Sequence, residues 1–113
     1  MIYTQKLIFA STAIALLITI PAFASGEVYI PDHEYVGFYD HDGIYTVIGG
    51  VKNNEMYPVI PTITVNVNDD GNIFSQDYKF SSVMPAQMLP LKLKLPQITS
   101  ENPVLEPPQI SYK

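Results

Sequence analysis

The chain has 113 residues, of which ten are proline and none is cysteine or tryptophan, and its formal net charge is -5. Without cysteine it can hold no disulfide, no thiolate-bound zinc, no iron–sulfur cluster and no thiol nucleophile. Its six basic residues are all lysines, and eleven acidic residues outnumber them. Because no basic patch is available to neutralise phosphates, the composition excludes nucleic acid as an expected partner.

Residues 1–24 have the pattern of a secretory signal peptide. Lys6 precedes a hydrophobic run over residues 7–20, and Pro21-Ala22-Phe23-Ala24 follows as a small-x-small exit. We predict a signal helix cleaved after Ala24 and a product that is secreted or held at the extracytoplasmic cell surface. A retained membrane anchor is the alternative, although the run is shorter than the roughly 20 apolar residues that a transmembrane helix needs. We expect membrane contact only through the uncleaved segment.

The rest of the chain predicts an all-β fold. From Glu34 onward, apolar and β-branched residues recur with period two, and turn residues interrupt them about every ten positions, which is typical of a sandwich or barrel. We expect residues 25–33 to be an N-terminal extension, residues 34–96 to form the sandwich core, and residues 97–113 to be a proline-rich extended tail. Within that tail, Gln109–Tyr112 can add a last strand.

The clearest hairpin runs from Val59 to Phe80. Asp70-Gly71 suits a two-residue type I′ turn, because both central residues of that turn need positive φ. This turn would place Val67 opposite Phe74, and the β-branched residues of the first strand would share one apolar face.

A second hairpin is expected from Glu34–Tyr39 and Ile44–Val51, turned by the four residues Asp40–Gly43. In that register Val36 and Phe38 would share a side with Val47. Gly49-Gly50 in the second strand suggests a bulge or a close backbone approach.

Met88–Leu95 alternates strictly between leucine and other residues. The leucines would point inward, and Pro90, Lys92 and Lys94 would point outward. Proline cannot donate to a strand ladder and lysine resists pairing with another chain, so the pattern predicts a protected edge strand.

Two groups of residues have spacings that suggest a metal site. Asn66, Asn68, Asp70, Gly71 and Asp77 reproduce the spacing of an EF-hand calcium loop, with Ile73 at its apolar position. An ordinary hairpin turn is the alternative, because the flanks are strand sequence and position one lacks a carboxylate. Asp32-His33-Glu34 and Asp40-His41-Asp42 lie at the two ends of one short strand, where solvated loop residues are the alternative. We therefore predict no metal site and no cofactor.

The sequence offers little for catalysis and one possible surface for sugar binding. Neither histidine lies near a nucleophile turn or a Gly-rich oxyanion loop, so we predict no catalytic residues and no enzyme activity. Six aromatic residues could form a stacking platform for sugar rings, although tyrosine also suits any half-buried strand. They are Tyr29, Tyr35, Phe38, Tyr39, Tyr45 and Tyr57.

Several segments together resemble a known family. They are Val47-Ile48-Gly49-Gly50-Val51-Lys52-Asn53-Asn54, the alternation Ile63, Val65, Val67 before Asp69-Asp70-Gly71, and Met84-Pro85-Ala86-Gln87 before an apolar strand. Over about residues 39–96 the chain is similar to the FxLYD-type Ig-like domain of exported archaeal proteins. The motif that names the family is reduced here to Val65-Asn66-Val67-Asn68-Asp69, and its usual Pro-Gly-Glu turn is Pro85-Ala86-Gln87.

The resemblance implies an Ig-like antiparallel β-sandwich of about six or seven strands. It also implies a non-catalytic structural or protein-interaction module whose partner is another envelope or surface protein. Binding would use edge pairing by Met88–Leu95 or by the tail. A small-ligand domain that binds carbohydrate or calcium is the alternative.

Overall fold

The computed structural model describes residues 22–113, so most of the predicted signal segment lies outside the described residues. Nine strands and one 3₁₀ turn, Asp32–Glu34, make up the regular structure of this part of the chain. In chain order the strands are β1 (Ala22–Ser25), β2 (Val28–Pro31), β3 (Val36–Tyr39), β4 (Tyr45–Asn53), β5 (Pro61–Asp69), β6 (Asn72–Lys79), β7 (Met88–Leu95), β8 (Val104–Leu105) and β9 (Gln109–Tyr112). The all-β class is confirmed. Within these residues no helix is long and apolar enough to cross a membrane.

The strands form two antiparallel sheets. In the first sheet β4 is central, with β7 along one side, β2 and β3 sharing the other side, and β1 beyond β2. In the second sheet β5 is central, with β6 on one side and β8 and β9 sharing the other. The strand number exceeds the expected one because two edge positions are each filled by two short strands.

One apolar core lies between the sheets, which gives a sandwich-like fold. Both central strands contribute every second residue to it, as the period-two pattern predicts. Its fully buried side chains include Val28, Ile30, Val47, Val51, Val59, Ile63, Val65, Val67 and Val83. Tyr35 and Tyr45 are buried with them.

The β5–β6 hairpin has the predicted register. Val67 pairs with Phe74 and Ile63 with Tyr78. Asp70 and Gly71 have φ angles of 54° and 92°, as both central residues of a type I′ turn require. The local Asp-Gly signal was therefore sufficient to set this pairing.

The β3–β4 hairpin is correctly located, but its predicted faces are wrong. Tyr39 pairs with Tyr45 and Phe38 with Thr46, so Val36 and Phe38 lie on the opposite side of the sheet from Val47. The cause is the loop: the Gly43 amide donates to the Asp40 carbonyl at 2.9 Å, and the Asp40 amide to the Ile44 carbonyl at 3.0 Å. With Gly43 at φ 78°, this is a three-residue loop with a bulge, not the expected four-residue turn.

Gly49 and Gly50 allow a close approach and do not form a bulge. The pairing of β4 with β7 runs without a break from Tyr45 to Lys52. A Cβ atom at Gly49 would lie 3.2 Å from the Tyr35 ring, and one at Gly50 would lie 3.2 Å from the Met88 sulfur. Of the two expectations, the close approach is the one observed.

The ends of the chain differ from the predicted boundaries. Residues 25–33 were expected to precede the sandwich, but β2 lies inside the first sheet, with Val28 and Ile30 fully buried. Strand β9 confirms the predicted last strand, and β8 adds a second short pairing to β5. Between these pairings, three residues, Glu106-Pro107-Pro108, lie opposite two residues of β5 and form a bulge. The two prolines have no amide N–H to donate, so regular pairing is interrupted there.

Candidate functional site

The outer face of the second sheet is polar. Its side chains on β5 and β6 are Thr62, Thr64, Asn66, Asn68, Ile73, Ser75, Asp77 and Lys79. Several bond to each other across the hairpin: the Thr64 hydroxyl donates to Asp77 Oδ1 at 2.7 Å, and the Ser75 hydroxyl to Asn66 Oδ1 at 2.6 Å. Ile73 and Val104, which lie on either side of Asn68, are exposed apolar residues of this face. The remaining side chains are polar, so the face has the composition of an ordinary solvated surface.

The outer face of the first sheet is different, because it combines apolar side chains with lysines. The pairings across β3, β4 and β7 place Val36, Ile48 and Lys92 in one row, and residues directly opposite each other share a face. Neighbouring rows add Phe38, Lys94, Lys52 and Met88. We call these seven residues the apolar–lysine face: Val36, Phe38, Ile48, Lys52, Met88, Lys92 and Lys94.

The large side chains of this face are exposed to solvent. Val36 and Phe38 are each 42% exposed and Met88 is 40% exposed. Exposed apolar side chains that are grouped on one sheet face, with charged residues around them, are typical of a surface that contacts another molecule. The apolar–lysine face is therefore the candidate functional site.

Asp40 connects the β3–β4 loop to Lys94 at one end of the apolar–lysine face. Its carboxylate accepts the backbone amides of Asp42 at 2.9 Å and Ile44 at 3.0 Å, and the Lys94 ammonium at 3.1 Å. The Ile44 amide and then Lys94 hold the pKa of Asp40 well below its usual value. Within residues 22–113, Lys52 and Lys92 form no ion pair, so they carry the unpaired positive charge of the face.

Strand β7 forms the free edge beside this face. Leu91 and Leu95 are buried, whereas Pro90, Lys92 and Lys94 are exposed, as the alternation predicted. The strand pairs with β4 over all eight of its residues, and the described part of the chain places no strand on its other side. The predicted edge strand is thus confirmed, and its lysines belong to the apolar–lysine face.

The residues weighed as a calcium loop form the β5–β6 hairpin. Asn66 pairs with Ser75 and Thr64 with Asp77, so Asn66 and Asp77 are diagonal neighbours whose oxygens already accept hydrogen bonds. Asn68 Oδ1 accepts the Gly71 amide at 2.8 Å. These oxygens hold the hairpin together and do not converge on one point.

The two histidine clusters stay apart at opposite ends of β3. His33 lies 3.5 Å from Glu34, and His41 lies 3.5 Å from Asp42, all four with well-exposed side chains. No group of three potential metal ligands comes together within residues 22–113. The arrangement is that of solvated loop pairs.

The six aromatic residues do not form one platform. Tyr35 and Tyr45 are buried in the core, and burial raises the pKa of both hydroxyls. The Tyr39 hydroxyl donates to the Ser100 carbonyl, and Tyr57 is exposed in the loop after β4. Phe38 belongs to the apolar–lysine face, and the half-buried Tyr29 lies opposite Lys52 at the other end of the same outer side of the sheet. The sugar-stacking alternative therefore loses the shared surface on which it depended.

Sequence reasoning placed Lys92 and Lys94 on the outside but missed Lys52 and the apolar residues of this face. Val36 and Phe38 were expected on the same side as Val47 because the loop before Ile44 was taken as four residues long. The signal that could have corrected this is Gly43, since glycine at the third position of a three-residue loop is typical of a bulged hairpin.

Comparison with known proteins found no relative of this chain. No family model, no curated protein and no solved structure matches the chain.

Proposed function

We propose that this chain is an exported, non-catalytic module of the Ig-like type that acts at the cell surface as a structural or protein-interaction domain. Its partner is another envelope or surface protein, which it contacts through the apolar–lysine face. The proposal involves no catalytic residue, metal or cofactor. The observation that carries it is the grouping of exposed apolar side chains with unpaired lysines on the outer face of the first sheet. The outer face of the second sheet is mainly polar, and its side chains bond to each other.

Three features support the Ig-like assignment. The sandwich-like fold has two antiparallel sheets around one core. The Asn53 of the family-like segment is fully buried and organises the loop that follows β4. The Pro85-Ala86 turn has the backbone that the family's Pro-Gly turn needs, with Ala86 at φ 66°.

The energetics of the apolar–lysine face favour a protein partner. Complete burial of one large apolar side chain contributes roughly 1.5–3 kcal/mol, so covering the exposed parts of Val36, Phe38 and Met88 supplies several kcal/mol. Lys52 and Lys92 would select a partner with carboxylates at matching positions. An apolar centre with charged residues around it is the usual anatomy of a protein interface.

Site-specific photo-crosslinking in the producing cells tests the proposal. A photoreactive residue at Phe38 should give a crosslinked product of discrete mass, and Val36→Ser should weaken it. Gln109, which is exposed on the outer face of the second sheet, is the matched control and should give none. Equal crosslinking from both positions, or none from Phe38, would contradict the proposal.

A further inference from the structure

We infer that the free edge of β7 accepts an additional β-strand from the partner, and that this strand is an extended segment in which acidic and apolar residues alternate. The inference rests on the proposed function and names the chemistry of the partner. It is carried by three observations: the direction of the backbone groups of β7, the lysines on its outer side, and the half-covered apolar residues on its inner side.

The position of Pro90 shows which backbone groups point to the free edge. Pro90 lacks an N–H, yet the pairing of β7 with β4 continues without a break on both sides of it. Its nitrogen therefore points away from β4. Because backbone groups on one side of a strand recur every second residue, the N–H and C=O groups of Lys92 and Lys94 also point to the free edge. These two residues present the groups that an added strand would pair with.

The lysines determine the chemistry on the outer side of that strand. Residues of neighbouring strands that lie directly opposite attract when their charges differ and repel when they are alike. Lys94 already bonds to Asp40, whereas Lys92 has no ion pair among residues 22–113. An acidic residue opposite Lys92 would supply the missing partner, while a second copy's β7 would bring lysine against lysine.

On the side that faces the core, the added strand would carry apolar residues. Strands β8 and β9 lie against β1, β2 and β3, so the sandwich is closed along that side. The opposite side is bordered by β6 and β7, each of which pairs with a single strand in the described part of the chain. There Phe74, Tyr78, Leu89 and Leu93 pack against the core and are partly buried, as Phe23, Leu105, Ile110 and Tyr112 are on the closed side. An added strand beside β7 would cover Leu93 with every second side chain.

Peptide binding to the full exported chain tests the inference. The probes are two labelled eight-residue peptides, one alternating glutamate with valine and one alternating lysine with valine, and the readout is fluorescence anisotropy. We expect the glutamate peptide to bind at least tenfold more tightly. Lys92→Glu should reverse this preference and Lys92→Gln should abolish it, whereas Lys79→Gln on β6 should leave it unchanged.

Backbone methylation distinguishes strand addition from docking on the face. N-methyl groups on every second amide remove all donors along one edge of the peptide while its side chains stay the same. One methylation pattern should abolish binding and the complementary pattern should not. If neither pattern weakens binding, strand addition is overturned. Failure of the glutamate peptide to bind also overturns it. In either case the proposed module stands if Phe38 still crosslinks to a partner and falls if it does not.

Discussion

Ala86 adopts a backbone conformation that suits glycine better. The Gln87 amide donates to the Met84 carbonyl at 3.0 Å, and Pro85 and Ala86 occupy the two central positions of this turn. Ala86 has φ 66°, as the second central residue of a type II turn requires. A left-handed conformation costs a non-glycine residue roughly 1–2 kcal/mol. The strain is local and independent of the remainder of the sandwich.

We therefore predict that Ala86→Gly stabilises the fold. Relief of the strain exceeds the greater chain entropy of unfolded glycine, which leaves a gain of about 0.5–1 kcal/mol in the free energy of unfolding. Urea unfolding measures it. Ser82→Gly, at an exposed position without positive φ, is the control and should be neutral or destabilising. A less stable Ala86→Gly variant would contradict the prediction.

Asn53 is a buried polar residue whose side chain is fully hydrogen-bonded to nearby backbone groups. Its side-chain amide donates to the carbonyls of Tyr57 at 3.0 Å and Val83 at 2.9 Å, and its oxygen accepts the Glu55 amide at 2.7 Å. Asn53→Ala should lower the free energy of unfolding by about 2–3 kcal/mol, because it removes three hydrogen bonds made by a fully buried side chain, among them the acceptor of the Glu55 amide. The neighbouring exposed Asn54→Ala should change it by less than about 0.5 kcal/mol. Similar losses in both variants, measured by urea unfolding, would show that the buried hydrogen bonds are not the cause.

At the scale of elements, the two central hairpins show what a sequence pattern can specify. For β5–β6, Asp70-Gly71 indicates the length of the turn, and the length fixes which residues face the core. For β3–β4, Asp40–Gly43 is compatible with two loop lengths that differ by one residue. Because side chains alternate with period two, that single residue moves Val36 and Phe38 from the side of Val47 to the opposite face of the sheet. The hydrogen bonds of Asp40 decide the loop length, and the hydrophobic pattern of the strands carries no information about them.

Asp40 also makes this hairpin sensitive to acid. Its pKa in the folded chain is well below the usual 3.8, first because of the Ile44 amide and then because of Lys94. A carboxylate whose pKa is lowered by folding stabilises the fold above the unfolded-state pKa, and this contribution is lost as the pH falls below it. We predict that Asp40→Asn lowers the melting temperature at pH 7 and that the difference from the parent chain narrows steadily below pH 4.

Thermal unfolding monitored by circular dichroism between pH 2 and pH 7 measures this dependence. Asp42→Asn is the matched control, because the Asp42 side chain makes only an exposed contact with His41. A difference between Asp40→Asn and the parent chain that is constant across the range would mean that the charge of Asp40 contributes nothing.

At the scale of the whole molecule, the candidate site depends on pairings between distant segments. The lysines of β7 could be placed on the outside from their own alternation with leucine. Their proximity to Val36 and Phe38 could not, because it results from β3 and β7 pairing with opposite sides of β4. No local pattern encodes which strands share a neighbour. The edge was therefore predictable, and the surface beside it was visible only in the fold.

The N-terminal strand β1 overlaps the predicted signal-peptide cleavage site. All four residues of β1 pair with β2, and the half-buried Phe23 ring packs edge-on against Tyr35 with ring centroids 5.7 Å apart. Cleavage after Ala24 would remove Phe23 and most of this strand. A chain that begins at Ala22 should therefore be more stable than one that begins at Ser25, by roughly 1–3 kcal/mol from partial burial and the aromatic pair.

Urea unfolding of the two chains measures the difference, and mass spectrometry of the exported protein shows which of them the cell makes. Phe23→Ala in the longer chain should reproduce most of the loss, because it removes the ring that packs against Tyr35 and the core. If the two chains unfold at the same urea concentration, β1 does not stabilise the sandwich, and cleavage after Ala24 has no structural cost. If the longer chain is more stable and is the exported form, residues 22–24 belong to the folded domain and cleavage occurs before them.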